Sequence, residues 1–191
     1  MALDGVVESP DKWHFPYFDD EMGAAVGAGF ATADALLMGR VLYQEWAAYW
    51  PAHADQPFGD VMNSIKKYVV SNSLTVADWN NTELLKGDIA KKIGDIKRGK
   101  GADIVMSGSA TTVRWLLRER LLDELHLLVH PILVGGGLRR FFPPNEPPLP
   151  LQLESSQTFR SGVLNLSYTL VRESRTVTEP TTLEKEAVRG T

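Results

Sequence analysis

Three times in 191 residues a short apolar run gives way to a break of small residues and then to helical periodicity. The first run is Ala35-Leu36-Leu37-Met38, followed by Gly39-Arg40 and by apolar positions Leu42, Trp46, Tyr49 and Trp50. That spacing keeps all four on one helix face, and Pro51 ends the helix. The second is Tyr68-Val69-Val70, followed by Ser71-Asn72-Ser73, a polar connection, and a helix that Asp88 caps, with Ile89, Ile93 and Ile96 in line. The third is Ile104-Val105-Met106, then Ser107-Gly108-Ser109, then a helix carrying Val113, Leu116 and Leu117. Strand, loop and helix alternating in this way predict an α/β fold with a mostly parallel sheet. The unit lengths differ, so the pattern is not a solenoid repeat.

The flanks read differently. A helix is expected from Asp19 or Asp20 through Met22, Val26 and Phe30, although it carries glycines at 23, 27 and 29. Leu125 to Val129 reads as a buried strand running on through Pro131 to Val134, where Gly135-Gly136-Gly137 breaks it. Phe141 to Pro150 holds five prolines and must be a loop. Val163 to Val171 alternates cleanly, with Leu164, Leu166, Tyr168 and Leu170 on one face. Arg160-Ser161-Gly162-Val163 is a turn that makes an antiparallel hairpin with Gln157–Phe159, expected on the edge of the sheet. From Glu173 onward the chain is polar and reads as a tail, leaving one domain over residues 1–172.

Composition removes several chemistries. With no cysteine there is no disulfide, thiolate metal site or cysteine nucleophile. A net charge of −4 implies no general attraction to nucleic acid or anionic membrane. Neither a secretory signal nor an apolar run of membrane length is visible, so a cytoplasmic location is the expectation. The sequence has no Walker A motif and no G-x-G-x-x-G fingerprint, and Ser107-Gly108-Ser109 lacks the glycines of a nucleophile elbow. His126 and His130 in one strand stand roughly 13 Å apart, too far to share a metal, and read as histidines with satisfied hydrogen bonds. Trp46, Tyr49 and Trp50 read as core, and the Lys91-Lys92 and Lys97-Arg98 pairs as a solvated helix face.

In open α/β sheets ligands bind at the carboxyl ends of the strands. Two breaks there suit phosphate. Gly39 permits close backbone approach, Arg40 offers a planar cation, and a helix N-terminus follows. Ser107 to Thr112 offers four hydroxyls and a glycine at another helix start. The plainer alternative is that Ser109 or Thr111 caps the helix and Gly108 turns the chain. Asp4, before Gly5, is either a turn residue or an acceptor facing substrate.

Together these segments resemble the dihydrofolate reductase-like superfamily, in particular the C-terminal reductase domain of the bacterial riboflavin-biosynthesis deaminase-reductase and its stand-alone relatives. Ala2-Leu3-Asp4-Gly5 is similar to that family's S-L-D-G opening. Leu37-Met38-Gly39-Arg40-Val41-Leu42-Tyr43 is similar to its G-R-x-T-[YW] segment, and Lys67 to Ser71 to the next strand and serine. Ser107-Gly108-Ser109 matches its pyrophosphate loop, and Asp123-Glu124-Leu125 through His130 to Gly137 its closing block. The agreement runs in order over residues 2 to 171.

The resemblance implies a three-layer sandwich with a mostly parallel mixed sheet and an antiparallel C-terminal hairpin, helices on both faces, NADPH as cofactor, hydride transfer to a small C=O or C=N substrate, and commonly a homodimer. Gly39, Arg40, Ser71 and Asn72 would face the adenosine and its 2′-phosphate. Ser107, Gly108, Ser109, Ala110 and Thr111 would hold the pyrophosphate. Ala2 and Val7 would border the nicotinamide, and Asp4, Trp13 and Gly135 the substrate, with Asp4 the candidate catalytic group. The family's threonine is Leu42 here and its serine is Ala2, so two hydroxyls are missing. Its central strand before S-L-D-G is also absent from this sequence, so either the chain starts further upstream or another segment takes that place. The deaminase half, which needs cysteine zinc ligands, is not present. Two rival readings are a dimeric nucleotide-binding protein with little or no reductase activity and an α/β interaction domain.

Overall fold

The computed structural model describes residues 1–171; the polar tail expected from residue 173 lies outside them. Helix α1 (Asp20–Ala31) starts where Asp19 accepts a hydrogen bond from the Met22 N–H at 2.9 Å. Strand β1 (Ala33–Gly39) runs straight into α2 (Arg40–Tyr49), and Pro51 sits in the short 3₁₀ turn that ends it. Then come α3 (Gly59–Ser64), β2 (Lys66–Val70), β3 (Thr82–Leu85) and α4 (Ile89–Arg98), capped by Asp88 through the Lys91 N–H at 3.0 Å. β4 (Asp103–Val105), α5 (Ala110–Arg118), β5 (Glu124–Val129), β6 (Leu151–Thr158) and β7 (Leu164–Leu170) complete the order.

The four parallel strands lie in the order β3-β2-β1-β4, and a three-stranded antiparallel ladder in the order β5-β7-β6. One core packs Leu36, Met38, Tyr43, Met62, Val69 and Trp79 together, and another packs Leu37, Leu85, Ile93 and Leu116. A third joins Val113 and Leu117 of α5 to Leu125 and Phe141. Burying such side chains contributes roughly 1.5–3 kcal/mol each.

Several sequence expectations are corrected. The polar connection after Ser73 contains β3, whose Thr82 and Glu83 disguise an edge strand parallel to β2. α3 was invisible because it is one and a half turns long and starts at Phe58 in the left-handed region (φ 70°). The strand from Leu125 stops at Val129, because Pro131 has no N–H to extend a ladder. Tyr49 is not core: it is exposed and stacks on His53 at 3.9 Å, and Tyr43 is the buried tyrosine of α2. The C-terminal hairpin is present with β6 outermost and β7 between β5 and β6. At its turn end the hairpin packs on α1, which brings Met22 against Phe159 and Val163.

At the N-terminus, His130 N–H donates to the Met1 carbonyl at 2.8 Å, and Ala2 bridges His130 in parallel. Among the described residues no named strand lies beyond β4 or beyond β5, and the Met1–Leu3 segment runs beside the end of β5, where Leu3 N–H donates to the Ile132 carbonyl at 2.9 Å. No helix of the described residues is long and apolar enough to cross a membrane.

Candidate functional site

Because β1 and β4 are parallel neighbours, the β1–α2 and β4–α5 junctions emerge at the same end of the sheet. They touch. Gly39 N–H donates to the Ser109 hydroxyl at 3.3 Å, and a Cβ on residue 39 would fall 2.8 Å from both Ser109 Oγ and Thr112 Oγ1. A side chain there would force those hydroxyls to shift. Gly108 (φ 88°) and Ser109 (φ 62°) are both left-handed; glycine adopts this freely, whereas for serine it costs about 1–2 kcal/mol.

This contact takes the Ser109 hydroxyl away from the helix end. Ser109 occupies the N-cap position of α5, yet its side chain does not cap the helix. Thr111 does not cap it either, since its hydroxyl lies 3.5 Å from Arg114 Nη2. α2 likewise begins at Gly39 without a side-chain cap. Two uncapped helix N-termini thus meet at one glycine, with Ser107, Gly108 and Thr111 exposed beside them. Unpartnered N–H groups and converging helix dipoles attract an anion. These are donors that could hold a pyrophosphate.

Strand register places Gly39 beside Val70, so Ser71 and Asn72 follow next to Arg40. The Ser71 hydroxyl is buried and accepts from the Ser73 and Leu74 N–H groups at 3.2 and 2.9 Å. Asn72 accepts from Gly87 N–H at 3.3 Å. Both side chains therefore shape the loop, and the exposed Arg40 is the cation there, held by Gln44 at 2.8 Å. Leu42 lies beneath Gly108, with its δ-methyl 4.0 Å from where a Cβ would be, as an apolar floor without a hydroxyl.

The other half of the expected cleft is the Ala2–Val7 turn. Asp4 Oδ2 accepts from Gly135 N–H at 2.7 Å and Oδ1 faces Val6 N–H at 3.5 Å. Hydrogen bonding from Gly135 foremost, with partial desolvation opposing, holds the carboxyl below its ordinary pKa. Asp4 is thus ionised at neutral pH, an acceptor rather than an acid. Ala2 and Trp13 are buried, and the Trp13 indole N–H is taken by the Glu8 carbonyl at 3.0 Å. They can wall the cleft but offer it no polar group. Val7 packs in one cluster with Ala110 and Val113, which joins the two halves.

The histidines differ from the sequence reading in one respect. His130 Nδ1 lies near the Leu128 and Met1 carbonyls at 3.1 and 3.2 Å, but its buried Nε2 has no partner. His126 is exposed beside Glu124. Among the described residues no group of three or more acidic or histidine side chains is arranged to hold a metal. Two surface concavities of about 340 and 430 Å³ lie elsewhere, one beside Asp34 and Asn81 and one between α2 and residues 74–79. Sequence reasoning included Thr112 among the loop hydroxyls but not its approach to Gly39, and it missed Arg114, one turn beyond Thr111 on the same face. The i, i+3 spacing was the available signal.

Residues 1–165 match the family described as the RibD C-terminal domain. The chain belongs to that family. A curated relative, the uncharacterized protein YyaP of Bacillus subtilis, is 28% identical over 173 residues, covering 88% of this chain and 90% of YyaP. A putative riboflavin biosynthesis protein from Shewanella sp. PV-4 superimposes with a TM-score of 0.72 at 23% identity, over 90% of this chain and 96% of the other. Acinetobacter baumannii RibD matches with a TM-score of 0.63 at 16% identity, this chain covering 56% of its length. At such identities these likenesses establish the RibD-like α/β fold.

Proposed function

We propose that this chain is an NADPH-dependent reductase acting on a small substrate with a C=O or C=N group. The observation that carries the proposal is the Gly39–Ser109 contact, which spends the capping hydroxyl on another loop and leaves α5 open to an anion. Membership of the RibD C-terminal domain family supports it. So does the name of a structural neighbour from Thermotoga maritima, a deaminase and 5-amino-6-(5-phosphoribosylamino)uracil reductase, which shares the fold at a TM-score of 0.61 and 13% identity.

NADPH, when bound, supplies the hydride. The first turn of α5 and the Gly39 cradle hold its pyrophosphate, and Arg40 with the Ser71–Asn72 loop takes the adenosine and 2′-phosphate. Val7 and the Ala2 turn wall the nicotinamide end. Asp4, ionised and fixed by Gly135, accepts a hydrogen bond from a substrate N–H and orients the reducible group. Asp4, being ionised, is not the proton donor, and a bound water could supply the proton.

Titration with NADPH and NADH, followed by nicotinamide fluorescence, tests the cofactor. NADPH binds more tightly, and Arg40→Ala weakens NADPH by about tenfold while leaving NADH nearly unchanged. Equal losses for both would remove the 2′-phosphate from Arg40. Asp4→Asn lowers turnover by about a hundredfold or more with little change in NADPH affinity. Because the folded pKa of Asp4 lies below the unfolded one, its stabilising contribution is present at neutral pH and is lost as pH falls through the folded value. Melting curves of wild type and Asp4→Asn should therefore converge in acid.

One observation favours a second reading, a nucleotide-binding protein with little or no reductase activity: main-chain N–H groups already engage both Asp4 oxygens. Tight NADPH binding without oxidation across carbonyl and imine substrates would select it.

A further inference from the structure

The nucleotide half of the cleft and the Asp4 turn are joined by a polar link as well as by the Val7 contact. Arg114 sits on the second turn of α5, with most of its side chain withdrawn from solvent (15% exposed). Its Nη1 donates to the Phe141 carbonyl at 2.7 Å and lies 3.5 Å from the Arg140 carbonyl, and its Nη2 lies 3.5 Å from the Thr111 hydroxyl. Glu146 stands 3.8 Å from its Nε and also pairs with Arg118. Segment 139–141 in turn carries the Asp4 turn. Phe141 N–H donates to the Gly5 carbonyl at 2.8 Å, Val7 N–H donates to the Arg139 carbonyl at 3.0 Å, and Val6 bridges Arg140.

A continuous path therefore runs from the first turn of α5 through one guanidinium to the backbone that flanks Asp4. The planar fork suits this task, because it can reach a hydroxyl and a carbonyl at once in fixed directions. We propose that Arg114 is the positioning residue through which occupancy of the α5 loop fixes the Ala2–Val7 turn. It acts on Asp4 at one remove and touches neither cofactor nor substrate. A ligand drawing Thr111 toward the pyrophosphate cradle shifts the turn of α5 that carries Arg114. The Phe141 carbonyl follows, and the Asp4 turn is held more tightly. This proposal rests on the cofactor reading above.

Hydrogen–deuterium exchange of the full chain, with and without NADPH, tests it. The Leu3, Gly5 and Val7 amides are all hydrogen-bonded within or across this turn and report its opening. In wild type, NADPH slows exchange both at the start of α5 and at these amides, by about tenfold, within the usual range for coupled sites. In Arg114→Gln, protection of α5 persists while protection of Leu3, Gly5 and Val7 falls below about twofold. A merely structural arginine would raise exchange in the unliganded variant and leave the NADPH-induced change intact. Arg114→Lys, which keeps a cationic donor for Phe141, should recover part of the effect and guards against a glutamine variant that folds poorly. Glu146→Gln, which leaves the Phe141 bond in place, should retain it.

Full NADPH-induced protection of the turn in Arg114→Gln would overturn the proposal and leave the cofactor reading standing. NADPH-induced protection at neither place in wild type would overturn both.

Discussion

Gly39→Ala should raise the NADPH dissociation constant by about a hundredfold or more while the chain still folds. The added methyl would fall 2.8 Å from Ser109 Oγ and Thr112 Oγ1, inside any tolerable contact. Backbone conformation is no obstacle, since Gly39 has φ −82° and ψ 162°, which alanine adopts freely. The strain must therefore be relieved by the hydroxyls, and Ser109 relieves it by rotating away from the Gly39 N–H. Overpacking of this kind costs about 1–3 kcal/mol, a fall of roughly 2–12 °C in Tm for a chain of this size.

The effect on the cofactor is larger than the effect on stability. Once released, Ser109 stands at the N-cap of α5, free to accept from the first-turn N–H groups that the phosphate needs. The substitution both fills the cradle and supplies a competitor for its donors, and together these reach the roughly 2.7 kcal/mol that a hundredfold represents. Fluorescence titration beside a thermal melt reads both quantities. An unchanged dissociation constant with a lowered Tm would mean that Gly39 serves packing only, and that no dinucleotide binds where α2 and α5 meet.

Local chemistry explains what was legible in the sequence. Asp88 was readable as a cap, and the start of α1 near Asp19 or Asp20, because an N-cap acts over three residues, within one stretch of sequence. The β1–α2 and β4–α5 breaks were readable because the glycine and small residues that let a loop approach a ligand are a compositional signal. The fate of the Ser109 hydroxyl was not, since its partner lies 70 residues away. Cap and ligand loop share one composition, so whether Ser109 caps α5 could be read only from the fold. β3 was lost because an edge strand tolerates polar residues, here an exposed Glu83 and a half-buried Thr82. Tyr49 was misplaced in the core and Tyr43 left out of it because helical spacing defines a stripe but not its width. Lys67 was read only as the start of a strand, since a lysine carries no local sign that it will be buried.

Lys67 carries the second large effect. Its side chain is fully buried with no carboxylate beside it. The ammonium donates to the Asn63, Ile65 and Asn80 carbonyls at 3.1, 2.8 and 3.0 Å, using all three protons, and lies 4.3 Å over the Trp79 ring. It thereby closes the end of α3, the start of β2 and the loop before β3 around one charge. Lys67→Met keeps the length and apolar stem but leaves those carbonyls without this donor. An unsatisfied buried group costs about 1–3 kcal/mol, and relief of the ammonium's desolvation offsets part of the sum. A net loss of about 3 kcal/mol is expected, or roughly 6–12 °C in Tm. NADPH binding should survive, because Lys67 lies at the opposite end of β2 from Ser71.

The pH dependence identifies the cause. Burial lowers the Lys67 pKa from 10.5 to about 8. Between those values the unfolded chain holds the proton and the folded chain does not, so wild type gains stability as pH rises through this window. Lys67→Met has no such group, and the stability difference between the two proteins should widen from pH 8 upward. A difference that stays constant with pH would mean that the ammonium is no harder to charge in the fold than in water, and that the loss comes from the packing of the stem.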